Sequence, residues 1–304
     1  MAVQFVFLII LLLAPLDALL AAAQSMAKPN CQAQCGNVDI PYPFGMEAGC
    51  YLNERFRIHC DAKNTPSLSI NAINLDVLRI SVDEGTIQVN FPIFYSRNCR
   101  GKESNPMIAN LEGSPFVYSE KGNRFVVVGC NNIALLTQND SIYGGCMSIC
   151  DDKSSSSALN HASCNGINCC QMKIPSHLKS VNAVFKDLDD VRGRGRDQCK
   201  HAYLVDKKWF SDRLNSSLEI PYSVTVMDYV PVVLDWMIDY WIFDSLQRNG
   251  SLPNNETYYC RTYKSENIPS NDQKSMIKCS CSGGYHGNPY LPAGCSGKLS
   301  LHQT

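Results

Sequence analysis

Val77-Leu78-Arg79-Ile80-Ser81-Val82-Asp83-Glu84-Gly85-Thr86-Ile87-Gln88-Val89-Asn90-Phe91 reads as two runs of alternating side chains about a turn. Successive strand residues point to opposite faces, so Leu78, Ile80 and Val82 on one arm and Ile87, Val89 and Phe91 on the other predict a hairpin with one buried face. Asp83-Glu84-Gly85 supplies the turn. Outward from this hairpin the same chemistry recurs. Arg124 to Gly129 is a β-branched run that ends at Cys130, and Ser223 to Met227 is similar. Leu204 to Phe210 and Val232 to Ile242 are apolar runs that period alone does not assign. One short helix is expected around Ser176 to Leu188, where Leu178, Val181, Phe185 and Leu188 fall near helical spacing. The fold class is therefore mostly β.

The chain contains sixteen cysteines, all downstream of an apolar leader. So large an even number fits an oxidising compartment, where disulfides form and persist. Val3 to Leu13 followed by Ala21-Ala22-Ala23 reads as a secretory signal over residues 1–23, too short to span a membrane. Val230 to Phe243 is interrupted by Pro231, Asp235 and Asp239, so no later membrane segment is expected. Sequons at Asn139, Asn215, Asn249 and Asn255 are candidate glycosylation sites on a secreted chain. A formal net charge of -1 predicts no general attraction to nucleic acid or anionic membranes.

The cysteines fall into three even groups: Cys31, Cys35, Cys50, Cys60, Cys99 and Cys130; then Cys146, Cys150, Cys164, Cys169, Cys170 and Cys199; then Cys260, Cys279, Cys281 and Cys295. All are expected in disulfides, which outweigh a zinc site at Cys164, Cys169 and Cys170 in this compartment. Cys169 and Cys170 are adjacent and should reach different partners.

One segment is more specific than any periodicity. Cys31-x3-Cys35-Gly36-Asn37-Val38-Asp39-Ile40-Pro41-Tyr42-Pro43-Phe44-Gly45, with Gly49-Cys50 and Phe56-Arg57-Ile58-His59-Cys60, resembles the galacturonan-binding domain of plant wall-associated receptor kinases. Gly145-Cys146-Met147-Ser148-Ile149-Cys150, Cys164-Asn165-Gly166-Ile167-Asn168-Cys169-Cys170-Gln171 and Cys199-Lys200-His201-Ala202-Tyr203 are similar to that family's second extracellular region. Cys279-Ser280-Cys281, Gly284 to Tyr290 and Cys295 resemble the back half of an epidermal-growth-factor-like repeat. The resemblance implies two disulfide-rich β domains, over 24–135 and 136–255, with a partial EGF-like module and divergent tail over 256–304. A calcium-binding repeat, a membrane helix and a kinase would be expected after Cys295 in that family, whereas Ser296 to Thr304 is an unrelated polar tail. A receptor-kinase ectodomain and a secreted kinase-less form are the two readings.

The resemblance implies a pectic ligand, homogalacturonan or its oligomers, in the extracellular space or cell wall. Carboxylate recognition favours arginine, whose planar fork donates twice where lysine offers a point charge. Candidate ligand-binding residues are Arg55 and Arg57, placed on one strand face if Phe56 points inward, and Arg97, Arg100 and Lys102 around Cys99. A third cluster, Arg192 to Arg196, is glycine-interleaved. Tyr42, with Phe44 and Tyr51, offers aromatic faces to sugar rings, on a segment that Pro41 and Pro43 should hold extended. The competing reading places Tyr42 and Phe44 in the core beside Cys50. No cofactor is expected, and calcium would enter through the carboxylates of the polymer. No nucleophile elbow, zinc-type histidine pair, phosphate loop or kinase motif is present, so no enzyme is expected. The alternative function is a protein-interaction ectodomain, a co-receptor or decoy, with little affinity for sugar.

Overall fold

The computed structural model describes residues 26–96, 99, 110–129, 131–149, 164–186, 199–216, 228–252, 256–263 and 275–297. Strands dominate them, and the α-helices among the described residues are Lys207–Ser216 and Tyr240–Arg248. The mostly β, disulfide-rich class expected from the sequence is the class observed.

The largest sheet is antiparallel, in the spatial order Ile58–Cys60, Pro66–Ile70, Ile73–Ser81, Thr86–Pro92, Tyr229–Trp236, Phe116–Tyr118. Its centre follows from alternation. Ile87, Val89 and Phe91 on one strand and Val230, Val232, Leu234 and Trp236 on its neighbour are all fully buried, with Val89 opposite Val232 and Ile87 opposite Leu234. Pro231 is tolerated because Phe116–Tyr118 pairs only with Leu234 to Trp236, which leaves Pro231 with a single neighbouring strand.

The hairpin forms with one correction. Ile73–Ser81 pairs with Thr86–Pro92, Ile80 opposite Ile87 and Val77 opposite Val89, but the register shifts between Val77 and Arg79. Leu78 is thus the extra residue of a bulge, and the inward set changes parity across it. Val77, Ile80 and Val82 are buried, while Leu78, expected inside, is 39% exposed.

A second sheet orders Cys169–Met172, Asn123–Val128, His201–Asp206 and Phe94–Tyr95, and a third orders Ser141–Ser148, Asn132–Gln138 and Asn182–Lys186. The helix expected around Ser176 to Leu188 is not observed. Asn182–Lys186 is a strand paired with Asn132–Gln138, and its own alternation buries Ala183 between exposed neighbours. The four apolar residues near helical spacing include Leu178 and Val181, which enter the core from the irregular segment before that strand. The two ambiguous runs divide: His201–Asp206 is strand and continues into the helix Lys207–Ser216, and Tyr229–Trp236 is strand before Tyr240–Arg248. Ser223 to Met227 lies outside the described residues, as do the signal segment and the polar tail beyond Gly297.

The boundary expected between 135 and 136 falls inside the strand Asn132–Gln138. Tyr229–Trp236, assigned by sequence to the second domain, completes the large sheet of the first. One buried apolar cluster extends from Cys35 to Cys295. The cysteine groups are bridged in the same way. Cys31–Cys50, Cys35–Cys60, Cys146–Cys170, Cys164–Cys169, Cys260–Cys279 and Cys281–Cys295 each lie within one group, but Cys99–Cys199 joins the first group to the second. Cys169 and Cys170 do reach different partners, and the thiols considered for zinc are disulfide-bonded. Cys130 and Cys150 lie outside the described residues.

Candidate functional site: an aromatic cleft beside the Pro-Tyr-Pro-Phe segment

The segment around Tyr42 is a turn, not the extended stretch expected from its prolines. The Tyr42–Pro43 peptide is cis, and the Phe44 N–H donates to the Pro41 carbonyl at 2.9 Å. Phe44 is fully buried among Phe56, Trp236 and Phe116, with ring centroids at 5.2, 5.5 and 6.2 Å. Its role is packing. Gly45 follows where the chain passes against Cys50, so closely that a Cβ would lie 2.5 Å from the Cys50 carbonyl.

Tyr42 is buried apart from one edge. Its backbone is fixed twice: its N–H donates to the Met26 carbonyl at 2.9 Å, and its carbonyl accepts from the buried Asn288 amide at 2.6 Å. Asn288 belongs to the C-terminal Asn288-Pro289-Tyr290 segment, so the last module holds the first motif in place. Burial raises the Tyr42 phenol above its ordinary pKa, and the group is neutral across the physiological range.

The accessible edge of Tyr42 opens into a cleft of about 450 Å3 lined by Lys28, Tyr42, Tyr51, Leu52, Trp241, Ile242, Ser245 and Leu246. Lys28 Nζ stands 5.9 Å from the Tyr42 ring centroid and donates to the Gly49 carbonyl at 2.7 Å. The Tyr51 hydroxyl donates to Glu54, which raises the phenol's pKa, and Glu54 in turn stands 3.6 Å from the Arg57 guanidinium. The opposite wall is the helix Tyr240–Arg248. Asp239 caps it, its carboxylate accepting from the Trp241 N–H at 3.0 Å. The cap starts the helix where Trp241 projects outward, 66% exposed and edge-on to Tyr240. Aromatic faces and the Lys28 ammonium thus line one concavity, and the Arg57 guanidinium is linked to its rim through Glu54 and Tyr51.

Of the residues singled out by sequence, the structure brings Tyr42 into this cleft and places Arg57 beside it through Glu54. Arg55 and Arg57 do not share a strand face. Glu54–Phe56 is a 3-10 turn, capped by the Asn53 side chain, and it drives Phe56 inward while leaving both arginines exposed. Arg97, Arg100, Lys102 and the Arg192 to Arg196 cluster lie outside the described residues. Asn139 occupies the exposed turn between Asn132–Gln138 and Ser141–Ser148, and Asn249 is the exposed C-cap of Tyr240–Arg248. Asn215 is in the helix Lys207–Ser216, and Asn255 lies outside the described residues. Sequence reasoning missed Lys28 and Trp241. Trp241 sits in a run that period alone does not assign and that reads otherwise as an interrupted membrane segment, and its high exposure beside Tyr240 is the signal that an amphipathic reading of 240–248 would give.

Residues 31–90 match the family model "Wall-associated receptor kinase galacturonan-binding", and residues 161–241 match "Wall-associated kinase". The chain carries these two domains of the wall-associated receptor kinases. Among its relatives in Arabidopsis thaliana, wall-associated receptor kinase-like 10 is 29% identical over 88% of this chain and 38% of its own length. Wall-associated receptor kinase-like 5 is 31% identical over 88% of this chain and 38% of its own, and wall-associated receptor kinase 2 is 31% identical over 88% and 34%. The chain therefore spans well under half the length of these relatives, and it includes no kinase domain. No solved structure matches it. The matched domains are not catalytic types. Among the described residues no helix is long and apolar enough to cross a membrane.

Proposed function

We propose that this chain is an extracellular pectin-binding module of the plant cell wall that recognises de-esterified homogalacturonan through the aromatic cleft and its flanking arginines. The observation that carries this reading is the coincidence of two findings. The galacturonan-binding match covers residues 31–90, and within it Tyr42 and Tyr51 line the cleft while Arg57 is linked to it through Glu54 and Tyr51. Trp241 and Tyr51 supply ring faces for the apolar side of a sugar, and Lys28, Arg55 and Arg57 supply cations for its carboxylates. Exposed charge pairs are individually weak and screened over about 8 Å at physiological ionic strength. Useful affinity comes from several such contacts along a repeating polymer. Arg97, Arg100 and Lys102, outside the described residues, remain candidate contacts in this proposal, and calcium acts through the polymer. The site is a binding site and not a catalytic one.

The test is binding of the mature chain to galacturonan at graded methyl-esterification and salt. Affinity should fall as either rises. Trp241→Ala and the pair Arg55→Ala with Arg57→Ala should each lower it without lowering the melting temperature, since all three side chains are exposed. Affinity indifferent to esterification and to these substitutions would overturn the reading. The alternative, a protein-interaction ectodomain, is favoured by one observation: Ile142, Tyr143, Met147, Ile149, Ile167 and Val184 are exposed on and beside the sheet containing Ser141–Ser148. It gains if pectin binding fails while receptor chains still bind.

A further inference from the structure

Ile242, Ser245 and Leu246 line the aromatic cleft from one face of the helix Tyr240–Arg248. Residues three, four and seven apart share a helical face, so the next position on that face is Asn249. Asn249 is exposed and is the C-cap of the helix, with φ -81° and its N–H still donating to the Ser245 carbonyl at 3.1 Å. It therefore keeps the direction of the residues before it. Side chains on a helix lean toward its N-terminus and cover the preceding turn. The Asn249 carboxamide thus projects over Ser245 and Leu246, at the edge of the cleft.

The sequon Asn249-Gly250-Ser251 is itself the end of the helix. Gly250 takes φ +67°, its N–H donates to the Gln247 carbonyl at 3.2 Å, and the Ser251 N–H donates to the Leu246 carbonyl at 3.0 Å. These two bonds close a Schellman cap, whose left-handed position is most often glycine. Leu252 then packs against the core. The acceptor asparagine is held by backbone on both sides, so a group attached to its side chain leaves the protein in one direction. The sequon at Asn139 differs: it occupies the exposed turn after Asn132–Gln138 and lines no part of the cleft.

We infer that an N-glycan carried by Asn249 folds back along the helix, lies over the aromatic cleft and covers Trp241, so that occupancy of this one sequon regulates access to the cleft. The placement follows from the helix geometry, and its consequence for pectin rests on the galacturonan reading. Trp241 precedes Asn249 by eight residues, about 12 Å along the helix axis, and a branched glycan of several sugars reaches across it. The sugars nearest the asparagine are N-acetylglucosamine, which is neutral and needs no cation. Leu52, Ile242 and Leu246 offer apolar contact, and the Tyr51 and Trp241 rings offer faces for the apolar side of a sugar. Such stacking is weak between separate molecules, but a short tether presents the sugar at millimolar effective concentration. A tryptophan 66% exposed to solvent is thereby covered without a second protein.

Hydroxyl-radical oxidation of the full mature chain, produced in plant cells and read residue by residue by mass spectrometry, tests the placement, with affinity for de-esterified oligogalacturonate measured in parallel. Wild type should carry a glycan at Asn249. Asn249→Gln and Ser251→Ala each remove the sequon, and the second keeps the asparagine and the backbone N–H that closes the cap. Both should raise Trp241 oxidation and pectin affinity by a similar factor, about threefold for a cleft closed about two-thirds of the time, because each readout scales with the open fraction. Asn139→Gln, which removes a sequon from another sheet, should change neither. An unmodified Asn249, or a glycosylated wild type in which Trp241 is oxidised as fast as in both sequon variants, overturns the inference. Oxidation that rises in the variants while pectin affinity stays the same supports the glycan's position and overturns the cleft as the pectin site. Absence of pectin binding in every form, with oxidation still rising, overturns the galacturonan reading and leaves the placement standing.

Discussion

Phe44→Ala separates the two roles that aromatic residues of the Pro-Tyr-Pro-Phe segment have in this protein. Phe44 is fully buried and edge-on to Phe56 and Trp236 at 5.2 and 5.5 Å. Truncating a buried phenylalanine costs about 3–5 kcal/mol, the lost transfer energy plus the cavity left behind. Edge-to-face partners add about 0.5–1.5 kcal/mol each beyond area, and the packed surroundings here contain large rigid rings that collapse poorly into the void. The upper half of the range, about 4–5 kcal/mol, is therefore expected, a large share of the roughly 5–15 kcal/mol that holds a domain folded. Phe44→Leu keeps most of the volume and should cost about 1–2 kcal/mol.

The assay is urea unfolding of the oxidised protein followed by fluorescence, in which Trp236 reports directly on the vacated space. Both variants should retain the wild-type slope against denaturant, so that the midpoint carries the change. A loss below about 1 kcal/mol for Phe44→Ala would refute the packing argument, because no fully buried ring in a close-packed core is so dispensable. Weakened pectin binding in a variant of wild-type stability would instead assign Phe44 to the ligand.

Other parts of the structure make separate predictions. Asn288→Ala removes the amide that donates to the Met26 and Tyr42 carbonyls at 2.9 and 2.6 Å, and should cost about 1–3 kcal/mol in thermal or chemical denaturation. Gly45→Ala sets a Cβ 2.5 Å from the Cys50 carbonyl and 2.7 Å from the Tyr51 nitrogen, so melting should fall by several degrees, as roughly 1–3 kcal/mol of overpacking implies. Replacing Cys99 and Cys199 together by Ser releases a closure of 100 residues, worth about 4–5 kcal/mol on the chain-entropy account, and should give the largest drop among the described bridges. Burial raises the Asp235 pKa above the ordinary carboxylate value, with Lys278 and the Ser119 hydroxyl partly opposing it. The folded state thus takes up the proton more readily than the unfolded chain, and wild type should gain stability relative to Asp235→Asn as pH falls through that raised value and lose it as pH rises again.

The parts of the fold that were legible in the sequence are those whose cause is local. Thr86–Pro92 is a strand because every second residue is large and apolar, and nothing elsewhere contradicts the pattern. Leu78 was misplaced because a bulge is a relation between two strands, and the extra residue is recognised only against its partner. Asn182–Lys186 was read with the residues before it as helix for a related reason. Leu178 and Val181 are indeed buried, but their burial comes from an irregular approach to a strand, and a spacing of three to four residues is produced by both.

The site divides along the same line. The segment containing Tyr42 was conspicuous because many special residues stand together in it, yet its conspicuousness reported structure as much as contact: Phe44, Gly45 and most of Tyr42 serve packing and a tight turn. What makes a cleft beside it is Trp241, which is joined to Tyr42 through no sequence pattern and arrives only because Tyr229–Trp236 inserts into the first sheet and Asp239 caps a helix directly after it. Asn288 then secures the Tyr42 backbone from the last module. Three segments far apart in the chain must therefore be folded together before the cleft exists. A fragment limited to the matched residues 31–90 would lack both the tryptophan wall and the asparagine anchor, and should neither fold as in the full chain nor reproduce its binding.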